Sequence, residues 1–179
     1  MKNKRTLKLV YAAVCLALAM VIPLLTGQIP EIGSKLSPMH IPALLCGFLC
    51  GWEYGLVVGF IAPLLRSLIF GMPPLFPTAT AMAFELAAYG AFAGLFYKLF
   101  PKKIGYIYLT QILAMICGRI VWGAVMFAFM GFGFANFGFE AFLSGAILNA
   151  VPGMILHIVL VPAIVIALRQ AKLIPDERA

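Results

Sequence analysis

Apolar residues occur along the chain in six stretches, separated by short turns that are rich in glycine, proline or charge. A helix needs about 20 apolar residues to cross the hydrocarbon core of a bilayer, and all but the second stretch approach or exceed that length. The pattern therefore predicts transmembrane helices. The predicted spans cover residues 6–26, 39–51, 54–70, 78–99, 106–130 and 140–169.

The second stretch, residues 39–51, is short for a span and contains Pro42. The basic residues decide whether this stretch is a span, because each span moves the chain across the membrane and Lys and Arg mark the cytoplasmic side. Six spans bring three basic groups to one side, whereas five would place two groups outside. We therefore predict a six-helix bundle with cytoplasmic N and C termini, whose second helix is tilted or screened from lipid by its neighbours. The groups are Lys2, Lys4, Arg5 and Lys8; Lys98, Lys102 and Lys103; and Arg169, Lys172 and Arg178.

The composition supports an all-α integral membrane protein. Of the 179 residues, 64% are hydrophobic and 11% are charged, whereas a soluble domain has roughly 25% charged residues. Six spans leave no room for a second domain, so residues 1–179 form a single transmembrane domain. The sequence has no G-x-x-x-x-G-K-[ST] phosphate loop, so any ATP must be hydrolysed by another chain. The net charge of +7 follows the flanks of the spans and indicates topology and attraction to lipid headgroups, not binding to nucleic acid.

Polar side chains inside the spans mark functional sites, because placing them in lipid is costly. With six spans, the helix rise places five of them in the outer half of the bundle, which is the geometry of a pocket open to the outside. Tyr89 and Trp122 lie near the same depth and could stack on a ring-bearing ligand or only fill the core. The five residues are His40, Arg66, Glu85, Arg119 and Asn149.

Each polar residue also has a structural interpretation. Glu85 could pair with Arg119 or Arg66 only to neutralise charge, and Arg66 could reach the outer headgroups. Two Arg and one Glu leave a positive surplus, which favours an anionic or strongly accepting ligand. Asn149 could hydrogen-bond a neighbouring helix. The same estimate of depth from the helix rise places His157 in the inner half of the bundle, away from this group. His157 is therefore expected to have a structural role.

Two loops are candidates for a lid over the pocket. The first outer loop, residues 27–38, contains several turn residues, and residues 131–139 combine glycine with phenylalanine. The phenylalanines also fit an aromatic belt at the membrane surface. The four cysteines have neither Cys-x-x-Cys spacing nor a histidine nearby at the spacing of a metal ligand, so we expect no metal site and no cofactor.

Motifs spread along nearly the whole chain carry a family resemblance. They are a basic start before Ala13 and Ala17, the runs Ser37-Pro38-Met39-His40-Ile41-Pro42 and Gly71-Met72-Pro73-Pro74-Leu75-Phe76-Pro77-Thr78, the glycines Gly47, Gly51 and Gly59, and Ala83-Phe84-Glu85. With six spans in fewer than 200 residues, the chain resembles the S components of energy-coupling factor (ECF) vitamin transporters. These are the substrate-binding membrane subunits of such transporters.

The resemblance implies a mechanism and partners. Ala13 and Ala17 would dock against the shared transmembrane (T) subunit, and two ATPase subunits would drive the S component to topple in a bacterial cell membrane and release vitamin inside. The vitamin would bind in the outer half, through the first outer loop and spans four to six. The Met-His-Ile-Pro and Pro-Pro-Leu-Phe-Pro runs are most similar to those of pantothenate and of pyridoxine or hydroxymethylpyrimidine transporters. Among these vitamins Arg119 favours pantothenate, whose carboxylate it would bind. Folate and riboflavin are the last candidates.

Other functions stay open on the sequence alone. A stand-alone secondary carrier or a small channel would also use charges inside the membrane. An intramembrane enzyme is not expected, because the sequence lacks Gly-x-Ser-x-Gly, His-Glu-x-x-His and clustered acids. A scaffold without a ligand is the remaining alternative.

Overall fold

The computed structural model describes residues 2–25, 37–131, 151–171 and 173–174. In these parts of the chain the secondary structure is helical throughout. A π-helical turn, Leu75–Ala79, leads directly into the fourth α-helix. The α-helices are α1 (Lys2–Leu25), α2 (His40–Cys50), α3 (Trp52–Phe70), α4 (Thr80–Leu99), α5 (Ile104–Gly131) and α6 (Val151–Gln170).

The lengths of the helices separate α2 from the others. Five helices of the described residues are long and apolar enough to cross a membrane: α1, α3, α4 with its preceding turn, α5 and α6. At about 1.5 Å per residue, the 11 residues of α2 measure about 16 Å, roughly half of the hydrocarbon thickness. The protein is therefore a helical membrane bundle built around one short helix.

The short helix α2 lies at the centre of the bundle. It packs against α1, α3, α4 and α6, and each of its residues except Leu49 is buried. These neighbours screen α2 from lipid, so its length need not match the bilayer. Pro42 lies in the first turn of α2, where the missing N–H would have had no partner within the helix.

The contact between α2, α3 and α4 is made by backbone atoms at glycines. A Cβ on Gly47 of α2 or on Gly55 of α3 would collide with the carbonyl of Gly90 on α4, and one on Gly59 would collide with the carbonyl of Leu86. Small residues four apart allow such close approach of helices in membranes. We call Gly47, Gly55, Gly59 and Gly90 the glycine seam. The seam fixes α3 against α4 and therefore the height of each side chain on them.

One end of the bundle gathers the basic residues. The Cys50 thiol at the end of α2 donates a hydrogen bond to the Lys8 carbonyl on α1, with Sγ and O 3.3 Å apart. Arg169 at the end of α6 donates through Nη1 to the carbonyl of Lys102 in the α4–α5 turn. The Tyr11 hydroxyl on α1 donates to the carbonyl of Leu173, just beyond α6, with the two oxygens 3.0 Å apart. The start of α1, the α4–α5 turn and the end of α6 thus meet at one end, which we call the basic end.

Candidate functional site

A buried ion pair joins α4 to α5. The Glu85 side chain is almost fully buried, and its Oε1 lies 3.0 Å from Nη1 of Arg119. The two groups are in contact but are not aligned for a hydrogen bond, since Oε1 has no hydrogen-bond partner in the described parts of the chain. A carboxylate at this depth stays charged only beside a cation. Arg119 therefore supplies a positive charge that compensates the buried Glu85 carboxylate.

His40, the first residue of α2, faces the same carboxylate. Its Nε2 lies 3.7 Å from Oε1 of Glu85, and its Nδ1 lies 3.0 Å from the carbonyl oxygen of Ser37. Because a carbonyl oxygen only accepts, Nδ1 carries a proton and donates, and Nε2 is the ring nitrogen that faces the carboxylate. Within the described residues Nε2 has no hydrogen-bond partner.

Tyr89 lies beside Glu85, one helical turn further along α4. Its ring is fully buried, and the ring centroid lies 5.3 Å from that of His40. The ring occupies the space that a Cβ on Gly118 of α5 would need. Arg119 directly follows Gly118 on α5, and its guanidinium lies 5.9 Å from the centroid of the Trp122 ring, within the range of a cation–π contact. The structure thus brings His40, Tyr89 and Trp122 to the Glu85–Arg119 pair.

His157 belongs to this group as well. Its ring is buried and is stacked on His40, with centroids 5.5 Å apart and planes inclined by 16°. The expectation that His157 lies away from the group is therefore wrong. That expectation estimated the depth of His157 from the predicted start of its span at residue 140, and this residue lies outside the described residues. A better signal is the buried four-residue stripe of Gly153, His157, Val161 and Val165, which turns His157 towards the core.

Arg66 lies elsewhere. Its buried guanidinium donates through Nη1 to the Met20 carbonyl on α1, 2.7 Å away, and lies over the Phe70 ring at 5.0 Å. The glycine seam sets Gly59 against Leu86, the neighbour of Glu85. Arg66 is seven residues beyond Gly59, about 10 Å further along the helix axis. The structure therefore does not bring Arg66 to Glu85.

Other predicted positions are partly outside the described residues. Asn149 lies outside them, as do residues 27–36 of the first lid candidate and residues 132–139 of the second. Ala13 and Ala17 are exposed on one face of α1. The described residues contain no group of three His, Cys, Asp or Glu side chains placed to hold a metal ion.

We call Glu85, Arg119, His40, Tyr89 and His157 the polar cluster. Four helices contribute to it, and the ion pair at its centre has no net charge. In the described structure Nε2 of His40, Oε1 of Glu85, the Tyr89 hydroxyl and Nε of Arg119 have no hydrogen-bond partner. Buried polar atoms are normally satisfied, so this arrangement is suited to binding a polar molecule.

Comparisons with known proteins agree with a binding role. A family model described as "ECF transporter, substrate-specific component" matches residues 7–165. Neither the curated proteins nor the solved structures gave a match.

Proposed function

Because the chain belongs to the family of ECF transporter substrate-specific components, we propose that it is the high-affinity binding subunit for a small water-soluble vitamin. The observation that carries this proposal is the polar cluster. Side chains from α2, α4, α5 and α6 converge on the buried Glu85–Arg119 contact, and several of their polar atoms are ready for a ligand. The role is binding and delivery, not chemical conversion.

The first vitamin to test is pantothenate. Its carboxylate would be matched by the guanidinium of Arg119, which can bind both carboxylate oxygens. The next candidates are pyridoxine or hydroxymethylpyrimidine, and after them folate and riboflavin. Trp122 and Tyr89 would contact the bound molecule. Asn149 and Arg66 stay proposed ligand contacts, although Arg66 is bound to the Met20 carbonyl and lies away from Glu85.

We also propose that the chain crosses a bacterial cell membrane six times, with both termini in the cytoplasm. The basic end supports this topology, because α2 ends beside Lys8 and α6 ends beside Lys102. The short helix α2 thereby returns the chain to the side from which α1 began. Lys and Arg at that end support its assignment to the cytoplasmic side.

The proposed partners are a T subunit and two ATPase subunits. On α1 the buried positions Ala12, Cys15 and Ala19 face the core, whereas Ala13 and Ala17 are exposed. Two small exposed residues four apart would let a helix of the T subunit approach closely. The exposed face of α1 supports this docking role.

The experiment that tests the function has two parts. The protein is purified from cells grown in rich medium, and the small molecule that co-purifies is identified by mass spectrometry. Vesicle uptake of that molecule is then measured with and without the ATPase and T subunits. Uptake that depends on ATP and the partners supports the proposal. Uptake by the protein alone under an ion gradient would show a secondary carrier instead, and purification with no ligand and no ligand-induced thermal shift would show a scaffold.

A further inference from the structure

We propose that the basic end binds one anionic phospholipid, with the lipid headgroup on Arg169 and Lys103 and an acyl chain of the same lipid along a row of aromatic rings on α4. This lipid site is separate from the polar cluster and does not depend on which vitamin binds there. Three features carry it: the cations fixed at the α4–α5 turn, the charge around them and the rings beside them.

Hydrogen bonds hold two cations at the α4–α5 turn. The Lys102 ammonium donates to the Tyr97 carbonyl at the end of α4, and its Nζ lies 3.3 Å from the centroid of the Tyr97 ring, as in a cation–π contact. From α6, Arg169 donates through Nη1 to the carbonyl of Lys102. A guanidinium has five N–H groups in a planar fork, so this bond leaves donors of Arg169 for an anion at the turn.

Lys103 lies in the same turn. Its N–H donates to the Pro101 carbonyl over 2.8 Å, and its carbonyl accepts from the N–H of Tyr106 over 3.0 Å. The backbone is thus fixed on both sides of Lys103, and the side chain is exposed. Because Lys103 directly follows the residue whose carbonyl Arg169 binds, the two cations can bind one phosphate together. Arginine matches the geometry of a phosphate through two parallel hydrogen bonds.

The charge around the turn is positive. The exposed Lys98, in the last turn of α4, adds a further cation. The described residues place one carboxylate at this end of the bundle, that of Glu53 at the start of α3. Like charges gathered in this way repel each other unless an anion lies among them. Basic pockets at the ends of transmembrane helices bind anionic lipid headgroups for this reason.

A row of stacked rings leads from the turn into the membrane. The centroids of Phe92 and Phe96 are 5.5 Å apart, and those of Phe96 and Phe100 are 5.8 Å apart. Phe100 lies 6.0 Å from the ring of Tyr106 on α5. We call these four residues the aromatic row. Each ring is partly exposed, so the row presents an apolar edge to lipid that is about 12 Å long on α4.

The aromatic row favours a phospholipid over a free phosphate. A free phosphate would use the cations of the turn and leave the rings without a role. A lipid with its headgroup on Arg169 and Lys103 would bring an acyl chain to Phe100, three residues before Lys103. Leu99, 63% exposed, and Ile104, 58% exposed, extend the apolar surface beside the turn. The cations and the rings together therefore fit the two parts of one lipid molecule.

The affinity test uses native mass spectrometry of the full-length protein in detergent micelles. Phosphatidylglycerol is compared with phosphatidylcholine of the same acyl chains, and inorganic phosphate is added as a competitor. One phosphatidylglycerol should bind with a Kd about tenfold or more below that of phosphatidylcholine, the equivalent of one charge-assisted hydrogen bond. Equal binding of the two lipids would overturn the proposal. Displacement of phosphatidylglycerol by an equal concentration of inorganic phosphate would also overturn it, because the site would then bind a free anion.

Charge variants locate the headgroup. Lys103→Gln combined with Arg169→Gln removes two cations from the turn and should raise the Kd of phosphatidylglycerol about tenfold or more, since each basic residue near a membrane surface contributes about 1 kcal/mol. Lys4→Gln combined with Arg5→Gln is the matched control, because it removes the same charge from the exposed start of α1. The control should bind nearly as tightly as the parent. Lys103→Gln alone, at an exposed position, should weaken binding by a smaller factor and keeps the test decisive if the double variant does not fold. Equal losses at the turn and at α1 would show attraction to the overall charge and overturn the site.

A fluorescence experiment locates the acyl chain. Phe96→Trp places an indole in the aromatic row, and Val14→Trp places one on α1, where Val14 is 50% exposed. Both positions lie roughly 10 Å from the basic end along their helices. In phosphatidylcholine nanodiscs with a small fraction of chain-brominated phosphatidylglycerol, Phe96→Trp should lose more fluorescence than Val14→Trp, after subtraction of the parent signal from Trp52 and Trp122. Equal quenching of the two variants would overturn the placement of the chain on the aromatic row.

Discussion

Gly118 on α5 lies so close to Tyr89 on α4 that the ring of Tyr89 fills the place of the missing Cβ. This contact connects the helix that carries Arg119 to the helix that carries Glu85. It also fixes the Tyr89 ring beside His40, so that the smallest possible side chain at position 118 determines the shape of the candidate site.

Gly118→Ala should therefore displace the Tyr89 ring and weaken vitamin binding. We expect an affinity loss of about tenfold, together with a loss of about 1–3 kcal/mol in the free energy of unfolding, which is typical of overpacking. Calorimetry and thermal unfolding measure the two effects. Gly105→Ala is the matched control, because a Cβ on Gly105 has no heavy atom within 4 Å. Equal affinities of the two variants would contradict this role of Gly118.

Arg119→Ala should abolish high-affinity binding while the protein still inserts. The change leaves the Glu85 carboxylate buried without its cation, and breaking a buried ion pair costs about 3–5 kcal/mol. The double variant Glu85→Gln with Arg119→Gln removes both charges and should regain stability without regaining affinity. Calorimetry on both variants measures the effect. If Arg119→Ala binds as tightly as the parent, Arg119 is not in the site.

Ala13→Trp should leave vitamin binding intact but block assembly and uptake. Ala13 is exposed on α1, so a large ring there does not disturb the core but prevents the close approach of another helix. Co-purification with the T subunit and ATP-dependent uptake are the measurements. Val159→Trp provides the control, since Val159 is 61% exposed on α6. Normal co-purification of Ala13→Trp would refute docking at this face.

Gly90→Ala should destabilise the bundle strongly. The added methyl group meets the backbone of Gly55 on α3, which cannot move aside as a side chain would. We expect the free energy of unfolding to fall by about 3 kcal/mol or more, with a large loss of the thermal midpoint. Gly71→Ala is a useful comparison, because a Cβ there has open space but Gly71 has a φ of +70°. A midpoint of Gly90→Ala above that of Gly71→Ala would show that the seam is not tightly packed.

The six-span topology can be tested by cysteine labelling. Met72→Cys, in the turn after α3, should react with a membrane-impermeant maleimide from outside the cell, and Lys103→Cys only after the membrane is opened. Both positions are exposed. The background should be low, because Cys15, Cys46 and Cys50 are buried; a Cys117→Ser parent removes the remaining thiol. Labelling of both positions from the same side would refute the alternation of spans.

The sequence was informative where local pattern determines structure. Long apolar stretches predict long helices, and the Glu85 carboxylate inside a span predicts a cationic partner because it cannot face lipid alone. The sequence left Arg119 and Arg66 as candidates for that partner. Counting residues from the end of a span, however, estimates how deep a residue lies in the membrane but not the side of the helix on which it lies. Arg66 lies in the predicted half of the bundle but about 10 Å beyond Glu85 along α3, and it is bound to α1. His157 was excluded by depth although it stacks on His40.

The central helix α2 has a consequence for ion leakage. Beneath His40, the residues from Ile41 to Phe48 are buried apolar side chains and close backbone contacts. A solute resting on His40 would therefore lie on closely packed apolar side chains of α2 and not on a polar path along this helix. Such packing would oppose the leakage of protons and sodium ions along α2 while a ligand is bound above it.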